Sequence, residues 1–164
     1  MDKFIKNINN EENIKIAVVT RPLNEYELKI HSKISLKFED ECTATIEKEY
    51  KDGKNQKHTF EFDAFYNEKT KNEEIYNNDA LPVIENVMNG YNGTIFCYGQ
   101  TGSGKTYTMV GQDSKEKFGI IPRSFESIFS VINNNQDTKY VVSVYFYEIY
   151  GEEVNDLLNI KNKK

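Results

Sequence analysis

Residues 99–106 read Gly-Gln-Thr-Gly-Ser-Gly-Lys-Thr, and no other stretch limits the possible folds so tightly. The run fits G-x-x-x-x-G-K-[ST], a loop whose backbone N–H groups cradle phosphate where a strand passes into a helix. Average residue usage puts a chance match in a chain of 164 residues at about 1 in 200. The flanks supply the required setting. Thr94-Ile95-Phe96-Cys97-Tyr98 is short, apolar and rich in β-branched and aromatic residues, which predicts a buried strand. A helix is expected to begin near Lys105.

Each residue type in the loop has a chemical reason to be there. Gly99, Gly102 and Gly104 open backbone angles closed to other residues and let the main chain approach a ligand. With Gln100, Thr101 and Ser103 between them, they present successive N–H groups as an anion nest, backed by the helix that follows. Lys105 supplies a point charge for the β- and γ-phosphates, and the Thr106 hydroxyl suits a Mg²⁺ shell, since that hard cation takes oxygen ligands. The competing reading is a Gly-rich turn that imitates the motif, and it leaves Lys105 and Thr106 unexplained.

A chain of this length is expected to form one domain with a sizeable core. Asn- and Lys-rich polar stretches at 1–13, 51–58, 67–78, 133–139 and 159–164 read as a frayed N-terminus, loops and a basic tail. The expected division is a flexible tail at 1–12, a folded body at 13–160 and a basic end at 161–164. No apolar run reaches the eighteen or so residues that a membrane span needs, and no signal-peptide pattern opens the chain. The net charge of −5 argues against a broad nucleic-acid surface. Cys42 and Cys97 read as reduced core thiols of a cytosolic protein. His31 and His58 lack companions at metal-ligand spacing and read as surface residues.

Ile14–Val19 alternates and is β-branched, so it predicts a strand ended by Thr20-Arg21-Pro22. Further strands are expected at Ile34–Phe38, Thr43–Glu49 and His58–Phe62, with a hairpin tip at Lys51–Lys54, together a small antiparallel lobe. In residues 73–90 the apolar positions Ala80, Val83, Ile84, Val87, Met88 and Tyr91 recur at helical spacing. Pro82 is expected to bend or restart that helix, and Gly90 to stop it. Gly111–Phe118 reads as a surface loop. Phe125, Ile128, Phe129 and Ile132 predict an amphipathic helix with Pro122 near its start. Asn133–Asp137 reads as a turn, and Tyr140–Tyr150 as a central strand covered on both faces. The order of elements predicts an α/β protein with a mixed central sheet flanked by helices.

Tyr91–Met109 as a whole resembles the phosphate-loop signature of the kinesin motor domain family. Four more motifs follow the family's order: Arg21-Pro22-Leu23-Asn24, Phe62-Asp63-Ala64-Phe65, Gly119-Ile120-Ile121-Pro122-Arg123, and Tyr147-Glu148-Ile149-Tyr150 running on through Gly151 to Leu158. The resemblance spans about residues 13–160 and corresponds to the N-terminal half of the motor domain. It implies a kinesin-like phosphate-loop fold, ATP or ADP with Mg as cofactors, microtubules as partner of the complete motor, and a cytoplasmic, cytoskeletal location.

By the same resemblance, Arg21 and Pro22 would line an adenine pocket, with a plain strand-ending turn as the alternative. Tyr76 would stack on the base or, equally, pack within its helix. Val19 stands where kinesins usually carry a basic residue, which implies a looser adenine pocket. Tyr107 follows the loop where many have His, and Gly151 replaces a common Asn.

Hydrolysis requires more than the loop. Phosphoryl transfer needs an acid anchoring Mg²⁺, groups placing the attacking water and a segment sensing the γ-phosphate. The kinesin elements with these duties, Asn-x-x-Ser-Ser-Arg-Ser-His and Asp-Leu-Ala-Gly-Ser-Glu, do not occur here, nor does any Asp-x-x-Gly. The chain is therefore expected to be part of a larger motor, catalytically incompetent alone and weak or silent towards microtubules. Two alternatives stand beside this: a non-catalytic nucleotide- or partner-binding module, and an unrelated phosphate-loop kinase with Asp156 as a poor candidate acid. Oligomeric state is left open.

Overall fold

The computed structural model describes residues 14–49 and 55–159. The expected hairpin tip at Lys51–Lys54 lies outside them. Contacts divide the chain into two compact units, the first ending at Ile128 and the second beginning at Phe129.

The first unit opens with β1 (Ala17–Val19), shorter than the alternating run predicts, followed by the single-turn helix α1 (Glu25–Lys29). Next comes the antiparallel lobe of β2 (Leu36–Phe38), β3 (Thr43–Glu49) and β4 (Asn55–Glu61), with β3 in the middle. Its register sets Leu36 opposite Ile46 and Ala44 opposite Phe60, and Ala44 and Thr45 are fully buried. The chain then returns as β5 (Ala64–Tyr66) and lies parallel to β1. Asp63 staples the two at their start. Its carboxylate accepts the Ile16 N–H at 2.7 Å while its own N–H donates to the Ile16 carbonyl at 3.1 Å. At the other end the Thr20 N–H donates to the Tyr66 carbonyl at 2.9 Å, which fixes where Arg21 leaves the sheet.

Pro82 restarts the next helix as its chemistry requires. Helix α2 (Asn72–Ile75) passes through a π-helical turn at Tyr76–Ala80 into α3 (Leu81–Met88), with Pro82 in the first turn of α3. A proline has no N–H to give the carbonyl four residues back. That carbonyl, Asn78, instead accepts the Lys15 ammonium at 3.3 Å, and the same ammonium pairs with the Asp79 carboxylate at 2.5 Å. Burial first, and the Asp79 carboxylate with it, push the neighbouring Tyr66 hydroxyl up to about 12. Gly90 ends α3 at φ +95, with the Gly90 and Tyr91 N–H groups donating to the carbonyls of Val87 and Asn86, a Schellman closure.

Helix α4 (Lys105–Met109) follows the loop, a 3₁₀ turn at Lys115–Lys117 interrupts the charged stretch, and α5 (Ile120–Asn134) runs across the boundary between the units. The first unit's helical core is Tyr76, Ala80 and Ile120, with Leu81, Ile95 and Met109 packed against it. Beside it lies an open apolar groove of about 230 Å³, lined by residues that include Val83, Val87, Phe125 and Ile128. The second unit holds a hairpin, β6 (Tyr147–Tyr150) with β7 (Glu153–Asp156), turned at Gly151 with φ +62.

Three expectations are corrected. Residues 94–98 form no ladder among the described residues, and Phe96 and Tyr98 are 78% and 95% exposed. Their period-two alternation survives, since Ile95 and Cys97 are half-buried. Only Tyr147–Tyr150 of the expected 140–150 strand is paired, and all four of its residues are exposed. A strand is completed by its neighbours, and among the described residues these two stretches lack them. Cys42 is exposed and Cys97 half-buried, so Cys42 is no core thiol; burial pushes the Cys97 thiol up.

Candidate functional site

The loop at 99–106 is shaped by its own turn and lysine, by Arg21 from the end of β1, and by the helix that follows it, which Asn72 ties to α2. Its apex is a turn in which the Ser103 N–H donates to the Gln100 carbonyl at 3.1 Å. Gly102, third in that turn, sits at φ +80, and Gly104 at φ +107 leads into α4. Both angles lie where an L side chain is strained, so the alternating glycines are a backbone requirement. Thr108 then donates its N–H to the Gly104 carbonyl at 2.9 Å and is itself buried, which secures α4.

Lys105, the first residue of α4, bends back over the loop. Its ammonium donates to the Gly99 carbonyl at 2.7 Å and the Gln100 carbonyl at 2.9 Å. Thr106 and Tyr107 are exposed, as are Gln100, Thr101 and Gly102. The N–H groups opening a helix have no intrahelical acceptors, so the start of α4 adds open donors beside the lysine charge. From the far side, the buried Asn72 amide donates to the Tyr107 carbonyl at 3.0 Å and ties α2 to α4.

Arg21 reaches the loop from the end of β1. Its Nε donates to the Gly102 carbonyl at 2.6 Å, and its two terminal nitrogens grip the Glu27 carboxylate at 2.7 and 2.8 Å. A fourth bond goes to the Pro22 carbonyl at 2.8 Å, so four of the five guanidinium donors are engaged. Glu27 is held in turn by a capping box with Asn24, each accepting the other's backbone N–H at 2.8 Å. The Arg21 hydrogen bond first, and the Asn24 N–H second, lower the Glu27 carboxyl to about 2. The same bond to Glu27 raises Arg21.

The structure thus brings Arg21, Gly99, Gln100, Thr101, Gly102, Ser103, Gly104, Lys105, Thr106 and Tyr107 into one region. Pro22 is exposed beside Arg21. Of the two readings left open for Tyr76, the structure favours packing: the residue is 4% exposed, clusters with Ala80 and Ile120, and its hydroxyl donates to Ser127 Oγ at 2.7 Å. Two contributors escape sequence reasoning. Asn24-x-x-Glu27 carries a legible signal, the spacing of a capping box. Asn72 carries none, because its role depends on a bond spanning 35 residues.

Among the described residues no cluster of three or more His, Cys, Asp or Glu could hold a metal ion. No described helix is long and apolar enough to cross a membrane.

A phosphate-binding loop carried on an α/β scaffold defines the class: a phosphate-loop nucleotide-binding fold. The kinesin motor domain family model matches residues 19–164. Kinesin-like protein klp-20 of Caenorhabditis elegans is 44% identical over 150 residues, covering 90% of this chain and 23% of the relative. The Homo sapiens kinesin-1 heavy chain is 38% identical over 152 residues, covering 92% of this chain and 15% of the relative. Among solved structures, a fast kinesin described with its ATPase mechanism and microtubule interactions superposes with a TM-score of 0.80 at 36% identity, over 88% of this chain and 40% of that one. The chain belongs to the kinesin motor domain family, and the unrelated phosphate-loop kinase is set aside. It spans less than a quarter of the length of these two curated relatives.

Proposed function

We propose that this chain is the nucleotide-holding part of an ATP-driven microtubule motor of the cytoskeleton. One observation carries the reading: the complete loop at 99–106 is folded, with the Lys105 ammonium held over it by the Gly99 and Gln100 carbonyls. In that position the lysine can trade carbonyl contacts for the β- and γ-phosphates of ATP or ADP. The open N–H groups at the start of α4 would bind phosphate oxygens. Thr106 offers an exposed hydroxyl beside Lys105, an oxygen donor that fits Mg²⁺. The ion would neutralise phosphate charge and would take its remaining ligands from phosphates and water. Arg21 and Pro22 stand at the edge of the loop, where an adenine contact is open to the exposed Pro22, while four of the five Arg21 donors are committed to Gly102, Pro22 and Glu27.

Turnover is another matter. The 164 residues contain no Asp-x-x-Gly to anchor Mg²⁺ from a second side and no Ser-Ser-Arg-Ser-His run to place water, so the chain alone binds without hydrolysing. An acidic chain with net charge −5 also has little to offer acidic tubulin, so microtubule binding belongs to the complete motor. The test is the thermal melt of the purified chain with and without Mg-ATP. Binding to the folded state alone stabilises by about 2.7 kcal/mol at a hundredfold excess over Kd. An upward shift that Lys105→Ala abolishes supports the reading. A melt indifferent to Mg-ATP overturns it, and microtubule-stimulated phosphate release by the chain alone overturns the expectation of no turnover.

A further inference from the structure

We infer that Arg21 is a positioning residue for the phosphate loop, pinning its Gln100–Ser103 turn from outside with Glu27 as anchor. It would act on any Mg-polyphosphate, not on the adenine base. This rests on the nucleotide-binding reading above.

The peptide unit between Gly102 and Ser103 is rigid and trans, so its C=O and N–H point in opposite directions. Both ends are held. The carbonyl accepts Arg21 Nε at 2.6 Å, and the N–H donates to the Gln100 carbonyl at 3.1 Å. That same Gln100 carbonyl accepts the Lys105 ammonium at 2.9 Å. A continuous run of bonds therefore leads from the Asn24 capping box through Glu27 and Arg21 to the turn and on to Lys105. The turn needs such support because Gly102 and Gly104 flank Ser103 and rotate cheaply. Left free, that peptide would reorient the chain entering α4 and carry the lysine with it. Glu27 contributes by stiffness: a bidentate carboxylate holds a planar guanidinium in one orientation, and Oε2 is itself fixed by the Asn24 N–H at 2.8 Å. An arginine reserved for a base would not spend four of its five donors on the protein.

The test compares the affinity of the full chain for Mg-ATP, Mg-GTP and Mg-tripolyphosphate in wild type, Arg21→Ala, Glu27→Gln and the double variant. Arg21→Ala is expected to weaken all three by the same factor, about tenfold. Glu27→Gln should follow in the same direction, and the double variant should lose no more than Arg21→Ala alone. A loss confined to Mg-ATP, or full additivity, overturns the inference. Hydrogen exchange of the 100–104 amides without nucleotide is the second readout, and faster exchange in Arg21→Ala is expected. Unchanged exchange overturns the clamp even if the chain binds ATP. If the wild type binds none of the three probes, the nucleotide reading itself fails, and the clamp has no ligand to serve. Should Arg21→Ala not fold, Arg21→Lys carries the same test, since one ammonium cannot keep the Glu27 fork and the Gly102 bond together.

Discussion

The phosphate loop and the Tyr140–Asp156 stretch are the two regions whose sequences read most distinctly, yet they end with opposite degrees of internal support. The loop is glycine-rich and intrinsically soft, but Arg21, Lys105 and Asn72 each place a hydrogen bond on its backbone or on the helix it opens. The other stretch is stiff and β-favouring throughout, but among the described residues only its hairpin is paired. Val141, Tyr145, Ile149 and Tyr150 are 74–86% exposed. The difference separates two kinds of information. A phosphate loop is specified by residues that reach each other through side chains, whereas a strand is specified only when a neighbour supplies its ladder and covers its faces.

The sharpest test of this contrast lies beneath the loop. Ile120 is 7% exposed against Tyr76 and Ala80, so Ile120→Ala removes buried methylenes from the helical cluster supporting α4. A loss of about 3 kcal/mol in urea unfolding is expected. Its position on the wall of the open groove favours the lower half of the usual range, because one side is already unpacked. A loss below about 1 kcal/mol would mean that the first unit is no better packed than the second, and the comparison would fall.

Next in size is Lys105→Ala. It should leave the melt without nucleotide close to wild type, since the lysine's two bonds go to loop carbonyls. It should also erase the roughly 2.7 kcal/mol that a hundredfold excess of Mg-ATP provides. A variant that melts far below wild type before any nucleotide is added would show that the ammonium holds the loop together by itself, a structural duty larger than its ligand duty.

Much of this is legible in the residues themselves. The motif at 99–106, the restart at Pro82 and the stop at Gly90 depend on local stereochemistry, and each stands where the sequence puts it. Strand extents are less legible. The runs at 94–98 and 140–146 have the composition of buried strands, but composition records what a segment favours and not whether a partner lies beside it. Tyr76 is ambiguous in sequence for a related reason: a phenol packs in a core or stacks on a base equally well, and only the position of Ser127 decides. The family resemblance around Arg21 implies either a ligand pocket or a plain strand-ending turn. The commitment of Arg21 to Gly102, 81 residues away, is a property of the folded chain.

The Arg21–Glu27 pair sharpens the comparison through acid titration. Glu27 is lowered to about 2 in the folded chain and returns to about 4.3 when unfolded. A depressed carboxyl stabilises the fold fully above the unfolded value, and that contribution drains away as pH falls towards the folded one. The stability gap between wild type and Glu27→Gln should therefore be constant from pH 7 to about 5 and shrink steadily below about 4.3, while Arg21 stays charged throughout. Urea midpoints across that range measure it. A gap independent of pH would show that the carboxylate's charge contributes nothing and that the fork acts by shape alone.

The smallest expected effect tests the other side of the contrast. Val141 is 86% exposed and belongs to no ladder among the described residues, so trimming it should remove almost no buried surface. Val141→Ala is expected to change stability by less than about 0.5 kcal/mol, as surface substitutions do. Ala is also the poorer strand former, so any small loss should come from propensity and leave the urea m-value unchanged. A loss above about 1 kcal/mol has no source in an exposed methyl pair and would mean that this side chain is covered in solution, by a second copy or by chain folded over it. Concentration dependence of the midpoint separates those two covers, because only association responds to protein concentration. The same stretch would then count as a strand whose support comes from a partner, and its difference from the loop would be one of where support originates.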